Sequence, residues 1–77
     1  MKDTEFVKNF AAQFEKADQS MITMDTNFRD IEGWSSFAAL SIIAMVDEIY
    51  NLKISGNDIK NAVTVRDIFD LIKKRKK

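Results

Sequence analysis

The stretch Phe28-Arg29-Asp30-Ile31-Glu32-Gly33-Trp34-Ser35-Ser36-Phe37 decides how this chain is read. A polar segment closes on a glycine and an aromatic, and two serines then open an apolar run that reaches Tyr50. Serine at a helix start caps it by accepting a hydrogen bond from a backbone N–H of the first turn. Only one of the two can hold that position. Ser35 fits it, which leaves the Ser36 hydroxyl free in the first turn. Neither serine has Glu or Gln three residues on, where Ala38 and Ala39 stand, so a reciprocal capping box is not expected here. The arrangement places a hydroxyl at the positive end of a helix dipole, where unpaired N–H groups favour negative charge by about 0.3–1 kcal/mol. A phosphodiester would be well placed there. On local grounds alone, a serine pair of this kind marks a helix start and nothing more.

Working outward, the helix that begins at Ser35 or Ser36 is expected to run to about Tyr50. Its apolar residues Phe37, Leu40, Ile42, Ile43, Met45, Val46, Ile49 and Tyr50 form a stripe wider than one neighbour needs. Such a helix is central, or it keeps an apolar patch for a partner. Downstream, Ser55-Gly56-Asn57-Asp58 is a helix start signal for a short segment over Asn57 to Asn61, and Thr64-Val65-Arg66-Asp67 is another. Val65, Ile68, Phe69 and Ile72 repeat at i, i+3, i+4 and i+7, and Lys73 and Lys74 suit a helix C-terminus. Upstream, Phe6, Phe10 and Phe14 recur at i, i+4 and i+8, which predicts a core-facing helix from about Thr4 to Lys16, capped by Asp3 or Thr4. Residues 17–34 form a long connection, pinned to the core by Met21, Ile22, Phe28 and Ile31, with Asp25, Thr26 and Asp30 available for turn hydrogen bonds. The expected fold is all-α: a small four-helix bundle of three longer helices and one short one.

Composition narrows the function. The 77 residues make one domain, small enough to bury only about 60% of its unfolded surface. With no Cys and no His there is no thiolate nucleophile, no imidazole acid–base pair and no Cys or His metal site. An autonomous enzyme is not expected, nor is a metal. The longest apolar run, Phe37 to Val46, is too short to span a bilayer, and no secretory leader opens the chain, so a cytoplasmic protein without membrane contact is expected. Of the 12 basic residues, five are Lys73, Lys74, Arg75, Lys76 and Lys77, so residues 1–72 carry 7 positive against 12 negative charges. The body is acidic and the tail basic, which divides the chain into a domain over 1–72 and a solvated, frayed tail over 73–77. An acidic body argues against nucleic-acid binding, which needs a positive face.

From Phe6 to Ile72 the chain resembles the acyl carrier and peptidyl carrier protein family. That family carries Asp-Ser-Leu at the start of its second helix, often after Gly and an aromatic, where this chain has Gly33-Trp34-Ser35-Ser36-Phe37. Asp25-Thr26 and Phe28-Arg29-Asp30-Ile31 are similar to the family's preceding loop. Val46-Asp47-Glu48-Ile49-Tyr50-Asn51-Leu52-Lys53-Ile54 is similar to the segment that follows, and Thr64-Val65 to the start of the last helix.

The resemblance implies a four-helix bundle that carries a covalent 4′-phosphopantetheine arm on Ser36, with Gly33, Trp34, Ser35 and Phe37 as flanking recognition residues. It implies a phosphopantetheinyl transferase as the modifying partner, and loading and processing enzymes that meet the carrier at Leu40, Ser41, Met45, Asp47 and Glu48. The arm's terminal thiol would hold an acyl or aminoacyl group as a thioester, so the role is transport rather than catalysis. Phe37, Leu40, Ile43 and Met45 lie near the arm as a docking face or as lining for a tucked chain. Core packing is the competing assignment for Phe37, Leu40 and Ile43, and periodicity does not choose for Met45. A free-standing monomer is expected. Two positions depart from the family. Its Asp before the serine is Ser35 here, and the near end of its usually acidic second helix shows Ala38, Ala39, Ser41 and Ile42, so docking is expected to lean on apolar contact more than on charge. A helical interaction domain that never carries an arm, binding through its second helix and basic tail, is the alternative.

Overall fold

A computed structural model describes residues 2–76. Four helices, α1 (Asp3–Ala11), α2 (Ser36–Tyr50), α3 (Gly56–Lys60) and α4 (Val65–Arg75), pack together, and two 3-10 turns, Gln19–Met21 and Phe28–Asp30, interrupt the long connection. The four-helix reading of the sequence therefore holds. The radius of gyration, 11.2 Å, matches the about 11.5 Å of a compact chain this long.

Both start signals read from the sequence are capping boxes. The Ser55 hydroxyl accepts from Asp58 N–H at 3.1 Å while the Asp58 carboxylate accepts from Ser55 N–H at 2.8 Å. Thr64 and Asp67 repeat the exchange at α4, where Asp67 also accepts from Val63 N–H at 2.9 Å. These backbone donors hold the Asp67 carboxyl below its ordinary range. Helix α2 ends where Asn51 turns left-handed at φ 55°, which its short polar side chain tolerates.

The first helix departs from expectation. It stops at Ala11, and Lys2 rather than Asp3 or Thr4 takes the cap position, with no side-chain cap bond; Asp3 and Glu5 sit in the first turn instead. Beyond Ala11 the chain tightens, Gln13 N–H donating to Phe10 O and Phe14 N–H to Ala11 O, while the Gln13 side chain donates to Asn9 O. Phe14 thus leaves the helix yet stays in the core, because a tighter turn still delivers its ring to Phe10 (5.7 Å between centroids) and Trp34 (6.2 Å). Phe6, Phe10, Phe28, Ile42, Val46, Val65, Ile68 and Ile72 form the innermost layer.

The connection between α1 and α2 is stitched down. Ile22, Met24, Phe28 and Ile31 are buried, but Met21, expected as an anchor, is 73% exposed on its 3-10 turn. Asp18, Thr26 and Asn27 supply turn hydrogen bonds to Ser20, Thr23 and Arg29 N–H, while the Asp25 carboxylate instead pairs with Arg66 at 3.2 Å. Val65 N–H donates to Thr26 O and Arg66 N–H to Met24 O, so carbonyls of the connection fill donors at the start of α4. The Arg29 guanidinium donates to Ala62 O at 2.7 Å, Ile59 O at 3.0 Å and Lys60 O at 3.1 Å, closing the C-terminal end of α3. At the other end of α3, Arg75 grips Asp58 with both terminal nitrogens at 2.8 Å. Lys73, Lys74 and Arg75 form the last turn of α4 and Lys76 Nζ donates to Tyr50 O, so the tail is ordered through Lys76 rather than frayed; Lys77 lies outside the described residues.

Candidate functional site at the start of the second helix

The approach to α2 is set by one glycine and one aromatic. Gly33 takes φ +90°, a conformation that other residues adopt only under backbone strain; room is not the obstacle, since nothing stands within 4 Å of where its Cβ would be. Trp34 is half-buried, its ring 5.0 Å from Phe28 and stacked on Phe14, so the segment before the serines is seated in the aromatic core.

The serines divide as the sequence suggested. Ser35 is the N-cap in extended conformation, its hydroxyl accepting from Ala38 N–H at 3.3 Å. Ser36 is the first helical residue and is exposed. Among the described residues no hydrogen bond engages its hydroxyl, nor the N–H groups of Ser36 and Phe37. No acidic residue occupies the first turn. An exposed hydroxyl beside two free amides at the positive end of a 15-residue helix suits a phosphate ester.

Beyond the first turn, α2 sorts its broad apolar stripe. Ala38, Ile42, Met45 and Val46 face the core, spaced i, i+4, i+7 and i+8. Met45 is 4% exposed, which removes it from any docking face. Phe37 at 77% and Leu40 at 62% stand in solvent, against the core assignment, because the core flank is already filled. Ile43 is half-buried against the core. Ser41 is half-buried, its hydroxyl donating to Phe37 O at 3.1 Å, while Asp47 and Glu48 are exposed toward the far end of the helix. A groove of about 400 Å³ runs along the Phe37 flank, between α2 and the turn over Ala12–Lys16. Nothing in the sequence announced it, since one wall is the turn over Ala12–Lys16, which the helical spacing of Phe6, Phe10 and Phe14 assigns to α1. Among the described residues there is no cluster of metal-binding side chains, and no helix is long and apolar enough to cross a membrane.

Residues 5–72 match the family model described as "Phosphopantetheine attachment site". The chain belongs to that family. It is 34% identical to an acyl carrier protein of Onion yellows phytoplasma and 33% identical to one of Aster yellows witches'-broom phytoplasma, each over 70 residues that cover 91% of this chain and 92% of the relative. An acyl carrier protein of Syntrophobacter fumaroxidans is 30% identical over 59 residues, 77% of this chain and 73% of the relative. The chain is thus a phosphopantetheine carrier, not an enzyme, with 4′-phosphopantetheine as its covalent group, and its partners are a phosphopantetheinyl transferase and biosynthetic enzymes. When attached, the arm supplies a thiol that holds cargo as a thioester.

Proposed function

We propose that Ser36 bears the phosphopantetheine arm and that the chain presents an acyl or aminoacyl group to successive enzymes. The observation that carries this reading is the division of labour at the start of α2. The Ser35 hydroxyl is committed to the helix cap, whereas Ser36 is exposed with its hydroxyl unengaged. Ser36 Oγ is then the acceptor in the transfer from coenzyme A: it bonds to the phosphorus that bears the pantetheine as the pyrophosphate bond of coenzyme A breaks and adenosine 3′,5′-bisphosphate leaves. The free N–H groups of Ser36 and Phe37 face the resulting phosphodiester. The first turn of α2 holds no carboxylate to take the hydroxyl proton, so that base belongs to the transferase. Gly33 and Trp34 hold the serine out at the helix end, and the domain raises the cargo's local concentration at whichever enzyme it docks with.

Intact-mass measurement after incubation with coenzyme A and a broad-specificity phosphopantetheinyl transferase tests this. One arm should be gained by the wild type and by Ser35→Ala, and none by Ser36→Ala. A gain that survives Ser36→Ala would place the arm elsewhere.

A further inference from the structure

One side of Ser36 opens on a groove rather than on bulk water. Ser35 and Phe37, its two neighbours in the chain, both line the groove of about 400 Å³ between α2 and the turn over residues 12–16. That volume lies within the range of small-molecule sites, about 300–1,000 Å³. Ser41 is the last residue of α2 on the wall, about 7.5 Å along the helix axis from Ser36 at 1.5 Å per residue. A group bonded to Ser36 Oγ therefore starts at the rim of the groove.

Its walls suit a ligand that alternates apolar groups with amides. Ala12, Phe14, Phe37 and Ala38 supply apolar surface. Gln13 and Ser41 each spend a donor on a backbone carbonyl, Asn9 O and Phe37 O, and each keeps an oxygen able to accept. Lys16, exposed at the end of the turn, adds an ammonium donor. Pantetheine has the matching pattern: two geminal methyls, a hydroxyl and two amides, with no charge beyond its phosphate. Its three residue-sized units extend roughly 10 Å or more at about 3.3 Å each, enough to pass Ser41. Tethering holds the arm at a local concentration on the order of millimolar, so contacts too weak to retain free pantetheine are enough. The core flank of α2 offers no such room, since Ile42 and Val46 are fully buried and Met45 nearly so.

We infer that the pantetheine arm, on the reading that Ser36 bears it, lies back along this groove against the turn over residues 12–16. Its methyls meet Ala12 and Phe37, and its amides come within reach of Gln13, Lys16 and Ser41. The groove is thus a resting place for the unloaded arm on the α1 side of α2, away from α3.

The test is NMR on the isotope-labelled full chain, given an unlabelled arm from coenzyme A by a phosphopantetheinyl transferase, with loading checked by intact mass. Isotope-filtered NOEs should join the arm's geminal methyls to the Phe37 ring and to the methyls of Ala12 and Ala38. The amides of residues 13–16 should shift on loading as much as that of Phe37. Ala12 is exposed, so Ala12→Phe fills the groove without entering the core. That variant should still gain one arm, while the loading shifts at residues 13–16 disappear. Loading shifts confined to residues 34–38, NOEs from the arm to Leu52, Ile54 or Ile59 instead, or shifts at residues 13–16 that survive Ala12→Phe each overturn the inference and leave Ser36 as the attachment point. Failure of the wild type to gain mass overturns the Ser36 assignment, and this inference with it.

Discussion

At the residue scale, the site depends on positions whose backbone leaves little choice. Gly33 sits at φ +90° with open space around its Cβ position, so replacing it costs backbone energy and no steric clash. Gly33→Ala should lower unfolding free energy by about 1–2 kcal/mol, measured by urea titration. Gly56 is a control: it too has open space, but its φ is not positive, so Gly56→Ala should be neutral or stabilising by up to about 1 kcal/mol. Equal losses at both positions would contradict the conformational argument. The partition between Ser35 and Ser36 was legible in the sequence because a helix has one N-cap. The fates of Phe37, Leu40 and Met45 were not. In a helix where nearly every position from Phe37 to Tyr50 is apolar, periodicity does not say which flank meets the core; only the packing of α1, α3 and α4 around it does.

At the element scale, α3 shows how a helix too short to stand alone is held. Five residues lie far below the length at which an isolated helix is stable. Its start is a capping box legible from Ser55 and Asp58, but the two guanidinium groups that close its ends come from Arg29 and Arg75, distant in sequence and unmarked by any local pattern. Arg75, with help from the Ser55 N–H, lowers the Asp58 carboxyl from 3.8 to about 2. Because the folded-state value is depressed, the stabilisation is complete above the ordinary carboxylate range and fades as pH falls toward 2. Asp58 should therefore titrate near pH 2 by carboxyl-carbon NMR, and Arg75→Gln should move that midpoint upward, with amide protection in α3 lost at correspondingly higher pH. A midpoint unmoved by the substitution would show that the contact does not persist in solution. The same pairing explains why a charge run that reads as a frayed tail is instead the closing turn of α4.

For the whole molecule, an unbroken series of aromatic contacts runs from Phe69 through Phe6 and Phe10 to Phe14, Phe28 and Trp34. It joins α4 to the doorstep of Ser36. The i, i+4, i+8 spacing announced its first half; Phe28 and Trp34 join through a connection whose course no periodicity describes. Phe10, fully buried and in contact with Phe6, Phe14 and Phe28, is its hub. A domain of this length has roughly 4–11 kcal/mol of stability at 0.05–0.15 kcal/mol per residue. Removing a buried phenyl costs about 3–5 kcal/mol. Phe10→Ala should thus erase roughly a quarter or more of the total, lowering the thermal midpoint steeply by circular dichroism; a shift of only a few degrees would mean the core relaxes around the gap.

Trp34 gives the molecule one further property. It is the only tryptophan in the chain, it rests on Phe14 and Phe28, and it stands two residues before Ser36. Its fluorescence therefore comes from a single place, half in the core and half beside the proposed attachment residue. Excited at the red edge of the absorption band, the indole acts as a built-in dye: an arm placed on Ser36, as proposed, and opening of the core would each change its emission without any label being added.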